Sequence, residues 1–247
     1  TYSMLYLEDP YPYDGAVRKD VGIGDVNVES IDSRSKYDNT LIYSRKFFQD
    51  TQVNGLSTFD LLSYKDVSDK YGIIKGLEEL GNVLVIICSE GVLTAYVGAT
   101  EYTDVSGNIN VVKSTDPIGY VRPHSERYGT VLKESILNNG KYIYFFDLYN
   151  GCVVRKAYNG LYPISGSISM DSNVYNYKMR GFFKELADSL IASIYSTSPD
   201  HFYNGRVYFG YDSYYENLYV TFVDKITSTN NITLIFNENR NRWVCRY

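Results

Sequence analysis

Four times along this chain an apolar run rich in β-branched and aromatic residues meets a short polar turn and is answered by a second such run. Val83-Leu84-Val85-Ile86-Ile87-Cys88 turns through Ser89-Glu90-Gly91 into Val92-Leu93-Thr94-Ala95-Tyr96-Val97. Tyr142–Asp147 turns through Leu148-Tyr149-Asn150-Gly151 into Cys152–Lys156. Arg206–Asp212 turns through Ser213–Asn217 into Leu218–Phe222, and Thr233–Phe236 turns through Asn237–Arg242 into Trp243–Cys245. Apolar strand, tight polar turn, apolar strand is the signature of a β-hairpin. Ile73-Ile74-Lys75-Gly76-Leu77 adds a strand ahead of the first hairpin, across the Gly81-Asn82 break. Shorter strands are expected at Thr40–Ser44 and within Leu61–Val67. The first three turns lie further apart than the ~40–50 residues of a standard propeller blade, so insertions are expected. The last two hairpins are close enough to make one four-stranded blade. The fold class read from this pattern is mainly β, built of β-propeller-like blades that need not complete a ring.

Composition supports that reading. Tyrosine supplies 27 of the 247 residues, and tyrosine favours pleated, half-buried surfaces. Hydrophobic residues at 44% and charged residues at 21% are close to globular averages and argue against wholesale disorder. The net charge of -5 gives no bulk grip on nucleic acid, so no sequence-specific nucleic-acid partner is expected. No apolar stretch approaches the ~18 residues of a membrane span. The opening Thr1-Tyr2-Ser3-Met4-Leu5 lacks the basic and apolar regions of a signal peptide. The chain stops at Trp243–Tyr247 inside what reads as a strand, so a piece of a longer polypeptide is expected.

Two segments depart from the hairpin pattern. Residues 1–38 are polar and turn-rich, with Asp9-Pro10-Tyr11-Pro12-Tyr13-Asp14-Gly15 stringing turn formers together. They read as an arm or linker ahead of a propeller-like domain at 39–247. Tyr2, Tyr6, Tyr11 and Tyr13 would lay the arm on the next copy in a ring, or fold it back as a missing blade strand. At about 178–195, Phe182, Phe183, Leu186, Leu190, Ile191 and Ile194 recur at helical spacing, with Lys184, Glu185 and Asp188 between them. This predicts an inserted amphipathic helix that ends before Pro199. Its apolar face serves either its own domain or a neighbouring subunit.

The residues that could carry chemistry are sparse. Cys88, Cys152 and Cys245 lie far apart with no C-x-x-C pair, so zinc and disulfides are not expected; buried reduced thiols are. His124 and His201, the only histidines, have no second ligand at metal spacing. No phosphate loop is present, and Val21-Gly22-Ile23-Gly24-Asp25 is too short a glycine fragment to be one. Ile164-Ser165-Gly166-Ser167-Ile168-Ser169 comes nearest to a nucleophile elbow but lacks its second glycine. Asp147, Asp212 and Glu238 stand at turn mouths. For the two aspartates, an Asx-type turn cap competes with paired-carboxylate glycoside chemistry. No catalytic residue, metal ligand or cofactor is therefore expected. Tyrosine-rich surfaces also stack on sugars, so a carbohydrate-binding or glycan-cleaving β protein acting on a bacterial surface stays open. Its mark would be a groove with several tyrosine rings and acids at its floor.

The run from Tyr144 to Ser165, YFFDLYNGCVVRKAYNGLYPIS, resembles a recurring segment of tail β-propeller proteins of short-tailed bacteriophages, particularly crAss-like phages. Ser125–Thr130 is similar to the same family. So are Tyr71–Leu77 leading into the strand of Leu84, and Phe209–Glu216 with Leu234–Glu238 and Trp243. The resemblance implies a non-enzymatic structural protein of the virion tail, of the kind called stabilisation, hub or muzzle protein. Other phage tail proteins are then the expected partners, with assembly in the bacterial host cytoplasm, and the resemblance carries over no catalytic residue; the homo-oligomeric ring is expected from the tyrosine-rich arm. A host-encoded propeller scaffold is a third reading.

Overall fold

The structure, a computed structural model, describes residues 38–45, 56, 58–60, 62–103, 109–166, 179–196, 205–224 and 231–246. All of these belong to one unit, Asp38–Tyr247. The arm expected at residues 1–38 lies outside the described residues, apart from Asp38.

Three four-stranded antiparallel sheets follow one another along the described chain, each with its strands in sequence order. Sheet 1 holds β3 (Ile74–Leu80), β4 (Val83–Cys88), β5 (Val92–Thr103) and β6 (Ile109–Pro123). Sheet 2 holds β7 (Leu137–Asn138), β8 (Ile143–Asp147), β9 (Cys152–Ala157) and β10 (Gly160–Pro163). Sheet 3 holds β11 (Gly205–Asp212), β12 (Asn217–Asp224), β13 (Ile232–Asn237) and β14 (Arg242–Arg246). A two-stranded ribbon pairs β1 (Thr40–Ile42) with β2 (Tyr64–Asp66). One helix, α1 (Met179–Ser196), lies between sheets 2 and 3 in sequence. It is not long and apolar enough to cross a membrane.

All four predicted hairpins form, and the last two share one sheet. The strands at Ile109–Pro123, Leu137–Asn138 and Gly160–Pro163 were not anticipated. Each completes a meander as an outer strand, and Leu137–Asn138 and Gly160–Pro163 are too short to carry a pattern.

Alternation of side chains across a strand explains how the sheets stack. Along β8, Ile143 and Phe145 join Cys152 and Val154 of β9 against Leu80, Val85, Ile87 and Val92 of sheet 1. The intervening Tyr144 and Phe146, with Val153, face Val207, Leu218, Val220, Leu234 and Phe236 of sheet 3. Every residue of β8 is therefore buried. Sheet 1 uses its other face, Ile86, Cys88, Leu93 and Ala95, to cover Leu41 of the ribbon and Val67 just after it. The described sheets are thus blade-like meanders stacked face to face, but they form no closed propeller. Three sheets fall short of the four or more blades that bring a first and a last together.

Helix α1 covers the margin between sheets 2 and 3. Phe183, Ala187 and Leu190 form its fully buried line, while Phe182, Leu186 and Ile191 flank it half-buried. This shifts the expected face by about one position: Ala187, too small to register as an apolar anchor, sits at its centre. Phe183 meets Trp243 at 4.7 Å between ring centroids and Phe222 at 6.0 Å. On the sheet side, the β8–β9 turn passes beneath the helix at Gly151, whose φ is +60°; a Cβ there would stand 2.8 Å from the Lys184 Cα. Glycine is thus required at Gly151 both by backbone sign and by the close approach.

Candidate functional site

Lys156 interrupts the contact between sheets 1 and 2. In β9 it follows Cys152 and Val154 at period two, so it points at sheet 1 as they do. Its side chain is 2% exposed. A core-facing register would ordinarily hold an apolar residue. Instead the apolar contact ends there, and a cleft of about 400 Å³ opens.

The opposite wall is the same face of sheet 1. Leu80, Val83 and Tyr96 stand in one row across β3, β4 and β5, and Val85, Thr94 and Arg122 in the next across β4, β5 and β6. His124, Ser125 and Glu126 enter from the segment that leaves β6, and Tyr158 and Asn159 from the β9–β10 turn. Tyr120 and Tyr158 expose most of their rings at the rim, at 58% and 71%. The His124 backbone N–H donates to the Val92 carbonyl at 3.0 Å, which ties this segment to β5.

Two nitrogens inside the cleft are poorly satisfied. The Lys156 ammonium carries three donors and gives one hydrogen bond, to the Ala157 carbonyl at 2.6 Å. Burial pushes its pKa down, and the nearby Glu126 carboxylate pulls it back up. The Nε2 atom of His124 is buried without a hydrogen-bond partner. Burial, then the charge of Lys156, lower the His124 pKa and hold the ring neutral.

The adjacent cation has the opposite fate. Arg155, one residue earlier, points at sheet 3 and pairs with Glu238 at 2.6 Å. Glu238 also accepts the Tyr144 hydroxyl at 2.7 Å. The Trp243 indole N–H donates to the Ile164 carbonyl at 3.0 Å. These bonds pin sheet 3 onto sheet 2. Among the described residues Lys156 has no such ion pair.

No family model matches this chain, and no curated protein matches its sequence.

The remaining residues singled out in the sequence are engaged in structure. Asp147, 1% exposed, accepts the backbone and side-chain N–H groups of Asn150 at 2.9 and 2.7 Å and the Gly129 N–H at 3.2 Å. It caps its own turn and anchors the 125–130 segment. Burial raises its pKa, and these turn bonds oppose the rise. Asp212 accepts the N–H of Tyr214 at 2.9 Å, an Asx turn. Glu238 caps nothing; it is the inter-sheet ion pair. Ser165 is buried, and its hydroxyl accepts the Val153 N–H at 3.0 Å, extending the sheet edge. Cys88 and Cys152 are free and buried, and burial pushes the Cys88 thiol up to about 12. Among the described residues, no three His, Cys, Asp or Glu side chains converge as a metal site would require. His201 and the Cys245 side chain lie outside the described residues.

A shallower hollow of about 320 Å³ lies beside Asp147, lined by Ser89, Glu90, Arg127 and Asn150. Its one buried acid is committed to the turn. The Lys156 cleft was not anticipated. The available signal was a lysine at the same parity as Cys152 and Val154, on a strand face that is otherwise apolar, immediately followed by Ala157-Tyr158-Asn159-Gly160.

Proposed function

We propose that this chain is a non-enzymatic structural component of a bacteriophage tail, of the stabilisation, hub or muzzle type, acting through protein–protein assembly. Three lines support the reading. The run from Tyr144 to Ser165 resembles a blade segment of such proteins. The meanders stack face to face in chain order, as successive propeller blades do; in this reading they are blades of a propeller-like body. The acids that might serve catalysis at Asp147, Asp212 and Glu238 hold turns and sheets together.

The observation that carries it is where the tyrosines lie. Among the described tyrosines only Tyr144 is buried. Tyr64, Tyr120, Tyr149, Tyr158, Tyr162, Tyr208, Tyr214 and Tyr215 are exposed, Tyr214 at 83%. Tyrosine brings large, rigid contact area with a free hydroxyl and is enriched where proteins meet. In this reading the surplus tyrosines are contact surface for neighbouring tail proteins and for further copies in a ring, inside a virion assembled in the bacterial cytoplasm.

Quantitative mass spectrometry of purified particles tests it. The sequence should be present at a fixed copy number in virions, and particles should fail to assemble when its gene is interrupted. Recovery only from the soluble fraction of lysed cells, never from particles, would remove the tail role.

A further inference from the structure

We infer that the cleft between sheets 1 and 2 is a binding site for a carboxylate-bearing sugar, with Lys156 seating the carboxylate and Tyr120 and Tyr158 flanking the ring. The inference goes beyond the assembly role and does not depend on it.

The starting point is the burial of Lys156. An ammonium removed from water with one protein acceptor is costly unless something else satisfies it. Lys156 holds one hydrogen bond, to a backbone carbonyl, and has two donors to spare. A carboxylate entering the cleft would accept those donors in a charge-assisted bond, the strong kind. His124 Nε2, buried and unpartnered in the same cleft, offers a second polar contact.

Lys156 and Arg122 bring positive charge to the cleft, with Glu126 beside them, so an anionic group is drawn to it. Glu126 itself, with the Asn159 amide and the tyrosine hydroxyls, supplies the mixture of acceptors and donors that sugar hydroxyls require. The rim gives the aromatic surface. Tyr120 comes from β6 and Tyr158 from the β9–β10 turn, on opposite walls, and both present exposed rings. Such rings pack against the apolar C–H face of a pyranose. At about 400 Å³ the cleft is within the range of small-ligand sites.

Titration calorimetry of the full chain with tetragalacturonate, beside the same tetramer with its carboxyls methyl-esterified, separates the charge from the ring. The acid should bind at least about tenfold tighter than the ester, as a hydrogen-bonded charge requires. Lys156→Met should abolish that preference while leaving the circular dichroism spectrum unchanged. Tyr158→Ala, at an exposed position that folding does not use, should weaken acid and ester alike. Equal affinity of acid and ester, no binding of either, or a preference that survives Lys156→Met overturns the proposal. So does inorganic phosphate or a tetraglutamate peptide that binds as tightly as tetragalacturonate; those outcomes make the cleft a simple anion hole or an acidic-peptide site. Loss of sugar binding leaves the particle experiment untouched, so the two readings fail separately.

Discussion

Replacing Phe183 with alanine tests whether α1 is part of the core or a detachable element. Phe183 is fully buried and touches three aromatic rings: Phe182 at 6.0 Å, Phe222 at 6.0 Å and Trp243 at 4.7 Å between centroids. Truncation removes roughly 150 Å² of apolar contact, which at about 25 cal/mol per Å² is a loss of about 4 kcal/mol. Aromatic pairing adds about 0.5–1.5 kcal/mol, and partial collapse of the cavity returns some of that, so a cost of about 3–5 kcal/mol is expected. Leu186 is half-buried on the flank of the same face, so Leu186→Ala should cost about half as much. Urea unfolding followed by tryptophan fluorescence is the assay, because Trp243 is the only tryptophan in the chain and packs directly on Phe183. The midpoint should fall with the slope unchanged. A cost below about 1 kcal/mol for Phe183→Ala, or a larger cost for Leu186→Ala than for Phe183→Ala, would refute the reasoning. The first result would mean that the helix leaves its seat without disturbing sheet 3, and the second that Leu186 rather than Phe183 faces the core.

Four further outcomes are expected. Glu238→Ala strips acceptors from both Arg155 and Tyr144 in a largely buried setting, so stability should drop by about 3–5 kcal/mol, and by less for Glu238→Gln, in chemical denaturation. Lys156→Met should raise stability by about 1–2 kcal/mol near neutral pH. Because folding lowers the pKa of Lys156 below its ordinary 10.5, the unfolded chain binds more protons between the two values. Wild-type stability should therefore rise with pH over that alkaline window, and the difference between wild type and Lys156→Met should shrink there. Gly129→Ala should cost about 1–3 kcal/mol in thermal unfolding, since its Cβ would stand 2.5 Å from the Ser89 carbonyl oxygen and 2.6 Å from that of Cys88. Cys88 and Cys152, buried with thiol pKa values pushed upward by burial, should resist maleimide at pH 8 in the folded chain and react once urea exposes them.

Much of the secondary structure was legible because it is written locally. The hairpins at Val83–Val97, Tyr142–Lys156, Arg206–Phe222 and Thr233–Cys245 each combine β-branched or aromatic runs with a turn of polar residues, and both signals act within a few residues. The helix was legible for the same reason: Phe183 and Leu190 lie on one face at helical period. Outer strands such as β7 and β10 were not, since two to four residues carry too little pattern.

The sequence by itself determined that Lys156 shares the face of Cys152 and Val154, and that Arg155 points the other way, because a strand alternates with period two. Only the tertiary structure decided what each face meets. Tyr144 and Phe145 are adjacent, fully buried aromatics, yet one packs on sheet 3 and the other on sheet 1. Arg155 finds Glu238 from 83 residues away, while Lys156 meets the edge of sheet 1, where the apolar rows give way to Thr94, Tyr96 and Arg122. Local propensity fixes the direction of a side chain; stacking of sheets remote in sequence supplies its partner, and with it whether a buried charge becomes a bolt between sheets or the floor of a cleft.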